Sequence, residues 1–248
     1  MANCWPLFSA LHSYLSTGDF LLYFRYLMKI KIDIDINVNK VVKYMVGADL
    51  LFTGSWSFIQ PIFSIFVIKD IAGATIITAG VAAALYWIVK SLLQIPVANF
   101  LDKTDGEKDD FYALVFSVTL AAFAAFSFML VKNIWSLFVV QMLYAIAMAF
   151  YIPSWSGIFS RHLDAKRFAF DWSLDSTAIG LTAFVTSLVG SVMAQWIGFQ
   201  AVFLVVGAFS LMSAMLLYFA PNVFLPKQTS NKEAPIALKD HSSPTNVG

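Results

Sequence analysis

The sequence predicts an all-α integral membrane protein with six transmembrane helices, on three grounds. Of its 248 residues, 59% are hydrophobic and 12% charged, with a mean hydropathy of +0.74. A soluble domain carries about 25% charged residues. Charges and turn residues cut the chain into apolar stretches of the roughly 20 residues that cross a hydrocarbon core as a helix. Lys and Arg gather on one side of those stretches, as orientation in a membrane requires.

The spans follow in order. The first covers 44–67 and is closed by Lys69 and Asp70. The second, 75–100, ends at a charged stretch, and the third, 111–131, is almost unbroken Leu, Val, Ala and Phe. Lys132 and Asn133 form a short turn into the fourth, 134–159. A polar loop over 160–171 carries Arg161, His162, Asp164, Lys166 and Arg167. The fifth span is 172–197, Gly198 and Phe199 turn the chain, and the sixth is 200–219. The division is therefore a leader (1–40), a six-span transmembrane domain (41–220) and a tail (221–248).

The leader is apolar over 5–28 but is interrupted by His12, Asp19 and Arg25. Placing Asp19 in lipid costs roughly 2.5–3.5 kcal/mol, so an interfacial or loosely ordered segment is expected. It lacks the basic start of a signal peptide. "KIKIDIDINVN" then alternates with period two and reads as an extended linker. The Pro-, Ser-, Asn- and Lys-rich tail is expected to be disordered and cytoplasmic.

Orientation comes from the bases. One side receives thirteen: Arg25, Lys29, Lys31, Lys40, Lys43, Lys103, Lys108, Arg161, Lys166, Arg167, Lys227, Lys232 and Lys239. The other receives Lys69 and Lys132, and Lys90 lies within a span. Both termini and both charged loops are thus expected in the cytoplasm, with the chain multi-pass in the cell membrane.

A net charge of +1 gives no nucleic-acid signal, and Cys4 is the sole cysteine. There is no sequon, zinc-ligand spacing, phosphate loop or G-x-S-x-G elbow. Neither an enzyme nor a cofactor or metal is expected.

Polar residues within spans are candidates for function. Asp49 lies six residues past Lys43, about 9 Å into the first span, and Lys90 ten residues before Phe100, about 15 Å from the same side. A pair between them is expected, either functional or purely structural, and the alternative is Lys90 snorkelling toward an interface. Gln94 shares a face with Lys90 at i+4. Gln60 precedes Pro61, whose missing N–H frees a carbonyl. With Gln141 these side chains form a candidate substrate or coupling path. Each amide also fits a plain helix–helix hydrogen bond. In the fifth span Gly180, Ala183, Ser187, Gly190 and Ala194 recur at 3–4-residue spacing, a stripe that lets helices approach closely in lipid.

Seven charged residues stand in the ten positions "LDKTDGEKDD", 101–110. As a bare turn they keep the loop in water. The stretch "ANFLDKTDGEK" also resembles the signature loop of the major facilitator superfamily, G-x-x-x-D-R-x-G-R-R, between that family's second and third helices. Asp102 and Lys103 take the Asp-Arg place, and Gly106 is the turn glycine. Ala98 stands at the leading Gly, Gly106 comes one residue late, and Glu107 replaces a base before Lys108. The Arg161–Arg167 loop falls where the family has its second cytoplasmic loop. The fifth span resembles the family's glycine-rich fifth helix without a G-P-x-x-G-G run, and Gln141 stands near the place of a family arginine.

The resemblance covers about 40–220, one six-helix half of a typical member. It implies a solute transporter, or half of one, working by alternating access. A second copy or a separate six-helix half would then complete the path for a small-molecule solute across the bilayer. It further implies a cytoplasmic latch from Asp102, Lys103, Asp105, Gly106, Lys108, Arg161 and Arg167, with Asp102 or Asp105 reaching Arg161 or Arg167. The alternative is a non-transporting membrane scaffold or assembly subunit derived from a transporter half.

Overall fold

The structure, a computed structural model, describes residues 39–103, 107–163 and 167–219. Chain contacts form two units, Met1–Asn37 and Val38–Gly248. The leader, its linker and the tail beyond Phe219 lie outside the described residues, as do Asp105 and Gly106.

Among the described residues there are seven helices and no strand. They are α1 (Lys40–Trp56), α2 (Phe63–Asp70), α3 (Ile76–Leu101), α4 (Lys108–Phe128), α5 (Ile134–His162), α6 (Phe168–Trp196) and α7 (Phe199–Tyr218). The five from α3 to α7 are each long and apolar enough to cross a membrane, and their bounds follow the expected spans to within a few residues. The expected first span differs. It is two helices, α1 and α2, joined by a tight passage over 57–62.

Pro61 explains that break. It has no N–H to donate to the carbonyl four residues back, Ser57. The chain tightens to three-residue bonds instead, Phe58 N–H to Ser55 O at 3.0 Å and Ile59 N–H to Trp56 O at 3.1 Å. The Ser57 carbonyl takes its partner from another helix, accepting from Ser187 Oγ on α6 at 3.0 Å.

Side chains fix the other helix starts. Asn39 caps α1, accepting from Val41 N–H at 3.1 Å. Thr75 with Thr78, and Asn133 with Ser136, form capping boxes at α3 and α5. Gly73 (φ +72°) and Gly198 (φ +106°) turn the chain before α3 and between α6 and α7, in backbone that an L side chain adopts at a cost.

α1 lies against α5, α6 and α7, while α4 packs between α5 and α7. α3 lies against α5 and α2. Small residues allow the close approach: Ala121, Ala122, Ala124 and Ala125 on α4 are fully buried. Ser213 Oγ on α7 donates to the Ala48 carbonyl of α1 at 2.7 Å. Phe66, Phe128 and Phe203 close one end, Phe128 stacking on Phe203 at 5.2 Å between centroids. α3 and α6 are peripheral: α3 buries only Ala79, Ala82 and Leu101, and α6 only Asp171, Asp175 and Gly190.

Candidate functional site

Beside the break in the first span lies a cavity of about 370 Å³, a size typical of small-molecule sites. α1 and the passage after it supply Phe52, Thr53, Trp56, Ile59 and Gln60. α2 adds Phe63, α3 adds Tyr86 and Trp87, α4 adds Phe128, and α5 adds Gln141, Tyr144 and Met148. The wall is mainly aromatic and ordered. Tyr144 stacks on Trp56 (centroids 3.7 Å, 15° between planes) and on Tyr86 (5.3 Å, 19°). The indole N–H of Trp56 is buried without a hydrogen-bond partner among the described residues. Of the five sequence candidates, Gln60 and Gln141 stand in the wall, while Asp49, Lys90 and Gln94 stand outside it.

Asp49 and Lys90 do not pair, contrary to expectation. The Asp49 carboxylate accepts from the hydroxyls of Thr53, one turn on, and of Tyr151 on α5. Lys90 stays on the outer helix α3, its ammonium 4.5 Å from the Trp87 ring centroid and 5.8 Å from that of Tyr86. The physical reason is helix phase. Asp49 is 4% exposed and turned into the core, whereas Lys90 lies one turn along the helix from its two aromatic neighbours. Gln94 is half-buried on the same helix.

Sequence reasoning missed Asp175, on α6. It is 4% exposed, interacts electrostatically with Asp49, and has a carboxylate oxygen with no hydrogen-bond partner. Its signal was present, since an acid inside the apolar span 172–197 is costly unless used. Asp171, one turn earlier, is buried as well.

At the other end of α5 lies a polar cluster. Arg161 bonds to Asp110 in the first turn of α4, and its Nε stands 3.6 Å from Glu107. His162 Nδ1 is 3.5 Å from the same Glu107, and the His162 carbonyl accepts from Asn39 Nδ2 at 3.2 Å. Gly157 leaves the room: a Cβ there would lie 3.1 Å from the Arg161 guanidinium and 3.7 Å from both Asp110 oxygens. Arg161 therefore holds α4, not Asp102. Asp102 caps the exposed end of α3, while Asp110 is turned inward by the first turn of α4. Lys103 and Lys108 are exposed. The guanidinium of Arg167 lies 4.3 Å from the Phe170 ring centroid.

Part of the α6 stripe meets the break. A Cβ on Gly190 would lie 2.5 Å from the Phe58 carbonyl oxygen, and Ser187 donates beside it. Ala183 and Ala194 are half-buried. Gly180 faces open space. At that level Thr182 carries the contact instead, meeting Gly54 of α1.

The model of the Major Facilitator Superfamily matches residues 46–245. The chain belongs to that superfamily. No curated protein matches it. Major facilitator members are membrane transporters built from two six-helix halves, and apolar helices with membrane-crossing length are what this member shows. The Arg161 cluster takes its acids from the end of the α3–α4 connection and the first turn of α4.

Proposed function

We propose that the protein is a solute transporter, or one half of one, that works by alternating access. The first expected span, interrupted at 57–62, is read as one crossing, so that with α3 to α7 there are six. The observation that carries this reading is the aromatic cavity set against the break between α1 and α2. Broken helices line binding sites in transporters because their freed backbone groups lie at mid-membrane depth.

In this reading Gln60 and Gln141 bind solute directly. Asp49 acts through Thr53, which both lines the cavity and donates to the Asp49 carboxylate. Asp175, which interacts electrostatically with Asp49, extends the coupling path. The Arg161 cluster is the cytoplasmic latch, with Glu107 and Asp110 as its acids. Trp87 lines the cavity yet is 58% exposed, so the cavity is open along α3. A second copy or a separate six-helix half closes that side and leaves a path between the two bodies. Both ends and both charged loops lie in the cytoplasm.

The test is uptake into proteoliposomes from a panel of labelled sugars, amino acids and organic ions. At least one solute should accumulate, and Gln141→Ala should reduce its initial rate about tenfold with folding unchanged. One lost charge-free hydrogen bond and its stranded partner account for that size. No uptake of any class, with the protein folded and inserted, is the outcome expected of a scaffold.

A further inference from the structure

We infer that the cavity takes a small organic anion with a flat ring, an aromatic carboxylate. This rests on the transport reading above and names its solute class.

The charge comes from Lys90. Among the described residues its ammonium has no carboxylate partner, and its neighbours are the faces of Trp87 and Tyr86, both of which line the cavity. Ring faces accept none of the three N–H donors of an ammonium as a hydrogen-bonded anion would. A cation held over two wall residues of a binding cavity, with no carboxylate partner among the described residues, is set to receive an anion. Asp49 is shielded from the cavity: it is buried, Thr53 rather than Asp49 lines the wall, and two hydroxyl donors occupy it.

The flat body comes from the stack. Trp56, Tyr144 and Tyr86 lie within 20° of parallel in succession, which suits a planar ring laid against them. The hydrogen bonds come from Gln60, Gln141 and Trp56. The Trp56 indole N–H is a buried donor with nothing to donate to, so an acceptor on the solute satisfies it. A volume of about 370 Å³ admits one or two rings. A cationic solute would meet Lys90 already standing over the aromatic faces that would otherwise hold it.

The full chain in detergent, dialysed to equilibrium against radiolabelled benzoate, benzamide, benzyltrimethylammonium or glucose, decides the matter, with protein-free micelles as the blank. Benzoate should bind about tenfold tighter than benzamide, its neutral counterpart, since a charge-assisted contact is worth at least that factor. Lys90→Met should erase the difference and Lys90→Arg should keep it, each variant first checked for an unchanged size-exclusion profile. Trp56→Phe, which keeps a ring and removes the N–H, should weaken both ligands. Equal binding of benzoate and benzamide overturns the inference, as does a benzoate affinity indifferent to Lys90→Met, or no benzoate binding at all. Glucose or benzyltrimethylammonium binding that depends on Gln141 removes the anion and leaves the transport reading intact. Failure of the transport reading appears separately, as access to the cavity from one face only.

Discussion

Asp110 shows what a single residue does here. It is 5% exposed and bonded to an Arg161 whose side chain is 43% exposed. Removing the partner of a buried charge costs about 3–5 kcal/mol, and a guanidinium half in water brings that down to about 2 kcal/mol. Arg161→Gln should therefore lower the thermal midpoint of the detergent-solubilised protein clearly, whereas Asp102→Asn, at an exposed helix end, should leave it within about 0.5 kcal/mol. Tyr151→Phe takes one of two donors from buried Asp49 and should cost about 1–3 kcal/mol, read by the same melt. That Arg161 pairs with an acid of the 101–110 stretch was legible in the sequence, but which acid was not. Motif position pointed to Asp102, while helix phase at the start of α4 turns Glu107 and Asp110 toward α5. Likewise Asp49 and Lys90 stood out as polar residues in apolar spans, yet depth alone does not give azimuth, and their faces diverge.

At the scale of the element, the α1–α2 segment is defined by its interruption. The freed Ser57 carbonyl, the Ser187 hydroxyl and the bare backbone of Gly190 form one contact between α1 and α6. Ser187→Ala leaves that carbonyl without its donor and should cost about 1 kcal/mol. Gly190→Val is harsher. Its Cβ would fall 2.5 Å from a main-chain oxygen that cannot swing aside, so α6 must shift, at about 3 kcal/mol or more. The check is the folded yield and melting midpoint of each variant in one detergent. Span positions were readable because lipid demands long apolar runs with polar ends. Pro61 announced a freed carbonyl, but the identity of its partner depends on which helix lies alongside, and that is a tertiary fact. For the same reason the stripe on α6 foretold close packing at Ser187 and Gly190 but not that Gly180 faces outward.

For the whole molecule, the loops sort into two ends. Ala72 N–H bonds to the Lys132 carbonyl at 3.4 Å, tying the α2–α3 and α4–α5 connections together. The Asn39, Glu107, Asp110, Arg161 and His162 contacts tie the start of α1 and of α4 to the end of α5. With the thirteen-to-two division of bases, impermeant thiol reagents applied to intact cells should reach cysteines at 69–73 and 132–133 and miss those at 103–108. The aromatic cavity itself was not readable in advance. Its rings come from five elements, and only the two glutamines among its wall residues were singled out by polarity. The cavity is where alternating access makes its sharpest claim. In a Cys4→Ser background, a cysteine at Gln141 is exposed to an impermeant thiol reagent in sealed vesicles, once from outside and once from the lumen. The account predicts labelling from either side, with each rate changing when solute is added, because the wall opens to one face and then the other. Labelling confined to one face under every condition would contradict it.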